Sequence, residues 1–144
     1  MSGTGPLAAY DTVVDITLEA GDVDQNGHLS NVGVARVLHE ARSEWLLTLE
    51  GRPPGNIYVV RHLAISYEAE GFPEQTYRCG VRAASRGSRS LTLDATLVAG
   101  DTVIATSTAT HVCFDTAARR PVELWPAVLA SIEARQGPVP RTTR

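Results

Sequence analysis

Residues 21 to 31, GDVDQNGHLSN, set two carboxylates, Asp22 and Asp24, just ahead of His28 and Asn31. Carboxylates and imidazoles bind metals, move protons and attack carbonyl carbons, so three readings of this segment compete. The first is a calcium loop beginning at Asp22, with Asp22, Asp24 and Asn26 at the first, third and fifth positions and Gly27 at the glycine position. Its last position is Gly33, where a bidentate glutamate belongs, and the segment before it is strand-like rather than helical. The second is an Asx-rich turn that caps a helix at Ser30 or Asn31; it explains Gly27 and Ser30 but not the crowding of acids and a histidine. The third is a catalytic turn. A helix N-terminus offers free N–H groups and the positive end of the helix dipole to a carbonyl oxygen. Asp24, just upstream, is placed to attack the carbonyl carbon or to activate water against it. A thioester suits that pair, because its thiolate derives from an acid of pKa about 8.5 and leaves with little protonation help.

The flanking patterns say which elements hold this turn. Upstream, TVVDITLE (12–19) alternates Val14, Ile16 and Leu18 against Asp15, Thr17 and Glu19, which is strand spacing. Downstream, Val34, Leu38, Ala41, Trp45 and Leu49 recur at helical spacing, with Arg36, Arg42, Ser43 and Glu44 placed away from the stripe and Gly51 as the stop. Four strands follow in meander: 57–70, a turn at Gly71-Phe72-Pro73, 75–85, 90–99, a two-residue turn at Gly100-Asp101, and 102–114. A short helix at about 126–135 and a mobile Pro/Arg-rich tail close the chain. One helix covers such a sheet only if the sheet curls around it. Small residues on the last strand, Ala105, Ser107 and Ala109, allow the helix to approach closely, and a second protomer is the natural protection for the remaining sheet edge.

Composition bounds the function classes. The 144 residues make one domain, 1–144, with its core at about 10–125; 43% are hydrophobic and 20% charged, an ordinary globular profile. A net charge of −3 gives no general affinity for nucleic acid or anionic lipid. All 13 basic side chains are arginine, so any anion site must use guanidinium forks. Cys79 and Cys113 fall in separate strands and read as buried free thiols of a reducing compartment. MSGTGPLAAY has no basic start and no long apolar region, so it does not read as a signal peptide, and no apolar run reaches a membrane span. The expected location is cytoplasmic.

DVDQNGHLSNVGVARVLHEAR resembles the motif of hotdog-fold acyl-CoA thioesterases of the 4-hydroxybenzoyl-CoA type: an Asp-x-Asp-x-x-Gly-His turn, an Asn opening the helix and a Glu-Ala-Arg ending. Those elements stand at Asp22, Asp24, Gly27, His28, Asn31, Glu40, Ala41 and Arg42, and AISYEAEGFP and the later paired strands are similar too. The resemblance spans about residues 10 to 125. It implies an α+β hotdog fold, a five-stranded antiparallel sheet wrapped around one long central helix, and hydrolysis of an acyl-CoA or acyl carrier protein thioester without metal or redox cofactor. It implies Asp24 as nucleophile or general base, the N–H at or beside Asn31 as polariser of the carbonyl, and His28 and Asn31 lining or bracing the site. Asp22 is expected to hold the turn, and Glu40 to partner Arg42 or the backbone. Val34 and Val37 stand where many relatives carry aromatic residues, which leaves the acyl group open. For coenzyme A the best candidates are Arg86, Ser88 and Arg89 in SRGSRS, with Arg61, Arg82, Arg119 and Arg120 as a wider set. The resemblance further implies a homodimer joined edge to edge, or a homotetramer built from two such dimers, each site completed by the neighbour. The rivals are a non-catalytic acyl-thioester binding protein and a dehydratase on the same fold.

Overall fold

A computed structural model of the chain describes residues 5–142. Residues 1–4, part of the stretch read against a signal peptide, and residues 143–144, the end of the tail, lie outside the described residues. The elements run β1 (Thr12–Ile16), a 3-10 turn (Ala20–Asp22), α1 (Asn31–Leu47), β2 (Asn56–Tyr67), β3 (Tyr77–Arg86), β4 (Ser90–Ala99), β5 (Thr102–Asp115), β6 (Arg120–Pro121) and α2 (Pro126–Gln136). All strand pairs are antiparallel, in the order β1-β3-β4-β5-β2, with the two-residue β6 beside β5. The described residues therefore form six strands rather than the expected five, with a short helix beside the long one.

The apolar stripe is buried as its spacing requires: Val34, Leu38, Ala41 and Trp45 of α1, with Leu49 just past its end, pack with Cys79, Val81 and Ala83 of β3, Leu91, Leu93, Ala95 and Leu97 of β4, and Ala105 of β5. Cys79 and Cys113 are buried free thiols, and burial pushes each thiol up to about 12. The outer face of β4 and β5 is polar, with Thr92 and Thr110 hydroxyls 3.1 Å apart. At Gly100 the φ of 61° lets the chain reverse between Ala99 and Thr102, as the two-residue turn requires.

Three expectations are corrected. The strands after α1 do not form one meander: β2 pairs β5 at the far edge of the sheet, and only β3, β4 and β5 are consecutive neighbours. The segment around Gly71 is thus a crossover, not a hairpin. Second, the Pro-rich tail is held to residue 142. The Arg86 N–H donates to the Pro140 carbonyl, the Thr142 N–H donates to the Arg86 carbonyl, and Val139 is buried. Third, Arg42 is not on an exposed face; it is 3% exposed.

The two sheet edges differ. β1 is five residues long, and beyond its end the Gln136 side chain takes a strand's place, accepting from the Ala83 N–H and donating to the Ala83 carbonyl at 3.0 and 2.7 Å. β2 is twelve residues long and lies largely exposed, with Ile57, Val59, Val60, Leu63 and Tyr67 all open to solvent. No described strand covers its outer edge. A long, apolar, uncovered edge of this kind is a surface for pairing with another chain.

Candidate active site

The acidic turn is a small hairpin closed by its own backbone. Val23 bridges Leu29, the Asp24 N–H donates to the His28 carbonyl, and the Gly27 N–H donates to the Asp24 carbonyl at 3.0 Å. Gly27 takes a φ of 77°, which glycine adopts without strain. Two further bonds fix the turn to the molecule. The Leu29 N–H donates to the Gly71 carbonyl and the Ser30 N–H to the Asp22 carbonyl, both at 2.8 Å.

The two aspartates do different work. Asp22 is 2% exposed, and its carboxylate accepts from Arg36 Nε at 2.6 Å, from Arg36 Nη2 at 2.7 Å and from the Glu19 N–H at 2.7 Å. The Arg36 bond holds its carboxyl below the usual range, against the opposing effect of burial. Asp22 in turn holds the Arg36 guanidinium above its usual value. Arg36 also reaches Glu40 and Glu19, so Glu40 partners Arg36 and not Arg42. The turn-holding role expected of Asp22 is what its bonds perform.

Asp24 is exposed, and one of its oxygens, Oδ1, accepts the N–H groups of Asn26 and His28 at 2.9 and 3.2 Å. Among the described residues Oδ2 accepts nothing. The carboxylate is thereby held in one orientation with one oxygen available. His28 packs edge-on against Phe72, ring centroids 4.9 Å apart, with Nδ1 3.4 Å from a Glu70 oxygen.

Ser30 caps α1, its hydroxyl accepting the Gly33 N–H at 2.9 Å. The N–H groups of Asn31 and Val32 make no hydrogen bond among the described residues, and both residues are exposed. They are the orphan donors of the helix start. The Tyr67 hydroxyl donates to the Asn31 carbonyl at 3.2 Å, tying the end of β2 to the same helix turn. Tyr67, Glu70 and Phe72 were not named from sequence as site residues; their only signal was the resemblance of AISYEAEGFP.

The calcium reading meets three obstacles. The first-position carboxylate, Asp22, is committed to Arg36. A Cβ at Gly33 would lie 2.3 Å from the Asp22 carbonyl oxygen, so glycine stands there because the helix start rests on the turn's backbone. Among the described residues no cluster of three or more His, Cys, Asp or Glu side chains is arranged to hold a metal.

The proposed coenzyme A residues lie apart from the turn. Arg86 is partly covered by the tail, Ser88 accepts from Arg141 Nη2 at 2.6 Å, and Arg89 lies exposed, bordering a groove with Arg120 and Val122. Arg82 stacks over Tyr10 and pairs with Asp94 at 3.6 Å, and Arg61 is exposed on β2. Tyr67 pairs with Ala105, whereas Ser90 pairs with Val112. Seven residues of β5 separate those levels, roughly 24 Å at the rise of an antiparallel strand. One chain does not bring Asp24, His28 and Asn31 to Arg86, Ser88 and Arg89. Val34 and Val37 are buried in the core, 3% and 0% exposed, and fill it against the sheet.

Solved structures share this fold. A Thermus thermophilus thioesterase complexed with coenzyme A and Zn is 21% identical, with 90% of this chain and 97% of that chain covered at a TM-score of 0.79. The PA5185 protein of Pseudomonas aeruginosa is 22% identical over 92% of this chain and 96% of its own, also at 0.79. The hypothetical protein SAV2348 of Staphylococcus aureus, in complex with CoA, is 12% identical over 92% and 87%, at 0.80. No curated protein matches the chain. The family model described as the thioesterase-like superfamily matches residues 18–132, and the chain belongs to that superfamily.

Proposed function

We propose that the protein hydrolyses an acyl-CoA or acyl carrier protein thioester to a free acid and a thiol. The observation that carries this reading is an oriented carboxylate, Asp24, in the turn that leads into α1, whose first two N–H groups have no partner among the described residues. The helix donors bind the thioester carbonyl oxygen and stabilise the charge that develops on it. Asp24 Oδ2 either takes a proton from the water that attacks the carbonyl carbon, so that the thiolate is expelled and the free acid is left, or attacks the carbon itself. Direct attack expels the thiolate to form an acyl–aspartyl anhydride, which water then hydrolyses to the free acid and the regenerated carboxylate. His28, against Phe72 and Glu70, braces the turn, and Asn31 is fixed through its carbonyl by Tyr67. Coenzyme A complexes of proteins with this fold support the class of substrate.

The site is completed by a second copy. Antiparallel pairing of two β2 edges sets the start of one strand beside the end of the other, and so carries the Arg86–Arg89 hairpin of one chain toward the Asp24 turn of its partner. The wide separation of hairpin and turn within one chain is the reason to expect this. The proposed assembly is an obligate homodimer or a dimer of two such dimers. A panel of acyl-CoA thioesters assayed for free thiol, with light scattering at the assay concentration, tests both parts. Thiol release from at least one acyl class by a dimer or tetramer is expected. Coenzyme A binding without thiol release would make the protein an acyl-thioester binder, and an active monomer would remove the shared site.

A further inference from the structure

At the end of α1 remote from the turn lies a cavity of about 300 Å³, whose polar lining is His39, Arg42, Ser43, Arg52, Tyr58 and His111. Its remaining walls are apolar, from Leu46, Leu47 and Val60. Arg42 is only 3% exposed, yet its Nε and Nη1 have no hydrogen-bond partner among the described residues. The Tyr58 hydroxyl and His111 Nδ1 are buried and without a partner as well. Among the described residues no acidic side chain lines the cavity. Burial, with Arg42 adding to it, pushes the His111 imidazole down to about 4. The ring is therefore neutral near pH 7 and adds no second full charge to the guanidinium.

Buried polar groups are almost always partnered, and a buried guanidinium without an anion is costly. A forked guanidinium, a phenol and an imidazole around one small cavity match a planar anion with two oxygens. The apolar walls match a short hydrocarbon chain leading to it. Among the exposed lining residues are Leu47 of α1, 75% exposed, and Val60 of β2, 44% exposed, the latter on the edge proposed to join the partner. Along α1, Arg42 is about 16 Å from Asn31 at 1.5 Å per residue, beyond the reach of a short acyl group held at its own turn. The antiparallel pairing of β2 edges brings this end of one chain to the turn of the other.

We propose that the cavity binds the terminal carboxylate of an acyl group held at the partner's turn, which makes thioesters of dicarboxylic acids the substrate class. The origin of the acyl chain rests on the thioesterase reading and the edge-paired dimer; the carboxylate site rests on one chain's own residues.

Calorimetry with non-hydrolysable probes separates the two. The S-carboxybutyl and S-pentyl thioethers of coenzyme A differ only in a terminal carboxylate against a methyl group. The carboxylate probe should bind at least ~10-fold more tightly. Arg42→Gln should remove that preference, and Tyr58→Phe should reduce it. If Arg42→Gln does not fold, Tyr58→Phe decides alone. Equal affinity for the two thioethers, or a preference that survives both substitutions, overturns the proposal. Free glutarate binding that Arg42→Gln abolishes, without any thioether preference, would keep a carboxylate site but overturn its assignment to the acyl chain. The thioethers cannot be cleaved, so a clear preference in a protein that releases no thiol would sink the hydrolase reading and leave the carboxylate site, with dicarboxylic thioesters as ligands rather than substrates.

Discussion

The two ends of α1 carry the polar chemistry of the molecule in opposite ways. At the N-terminal end nearly every polar group is matched: Asp22 by Arg36 and Glu19, one oxygen of Asp24 by two N–H groups, Gly33 by the Ser30 hydroxyl. What stays open there is exposed, namely Asp24 Oδ2 and the first helical N–H groups. At the C-terminal end the open groups are buried: Arg42, Tyr58 and His111 line a cavity that no acidic side chain among the described residues lines. A saturated network with a few outward groups is a scaffold that presents chemistry. A buried set of donors without acceptors is a receptor. On the proposed function the difference gives reaction to one end and selection to the other, and in the proposed dimer the length of the helix gives them to different copies of the chain.

The largest effect should come from breaking the scaffold. Asp22→Ala strips Arg36 of its buried partner and should cost roughly 3–4 kcal/mol in urea unfolding. A loss below about 1 kcal/mol would mean that Glu40 and Glu19 alone suffice to hold Arg36.

A smaller effect tests the receptor end. His111 has its folded value, about 4, below the ordinary 6.5, so the unfolded chain takes up the proton first as pH falls. Its contribution to stability is fully present above pH 6.5 and is lost as pH falls toward 4. Between pH 7 and 5 that amounts to about 2 kcal/mol, and His111→Gln should flatten the decline by that amount in unfolding titrations. The same slope in both proteins would mean that the imidazole is hydrated.

The smallest effect is none at all: calorimetric titration should show no calcium site at micromolar concentration, because Asp22 is taken and Gly33 offers no ligand. A stoichiometric site would return the turn to the calcium reading.

Much of this arrangement was legible in the residues. Helical spacing located the buried face of α1, alternation located β4, turn residues and β-branched runs located the other long strands, and Asp22 was set apart from Asp24 as the holder of the turn. The pairing of β2 was not legible. Its alternation says which residues share a face, but Gly71-Phe72-Pro73 has the same chemistry in a hairpin and in a crossover, and partner choice is a long-range matter. Arg42 lies off the Val34–Leu49 stripe, yet it faces inward. Leu38 and Leu46, four residues to either side and both buried, were the signal that it faces inward. The tail's proline and arginine content concealed backbone bonds to Arg86 that no composition reveals. The receptor cavity could not be seen in sequence, since it joins α1, β2 and β5.

The central claim is that Asp24 carries out the hydrolysis while the rest of the turn holds it in place. The most direct measurement is turnover by Asp24→Asn on whichever acyl-CoA the native protein cleaves best, alongside its thermal unfolding. Asparagine keeps the shape and the acceptor oxygen that binds the Asn26 and His28 N–H groups, but it can neither attack nor take a proton. Turnover should fall at least ~100-fold with the unfolding temperature unchanged. Near-native turnover by the folded variant would contradict the account and move the chemistry to another group, with Glu40 the next to replace.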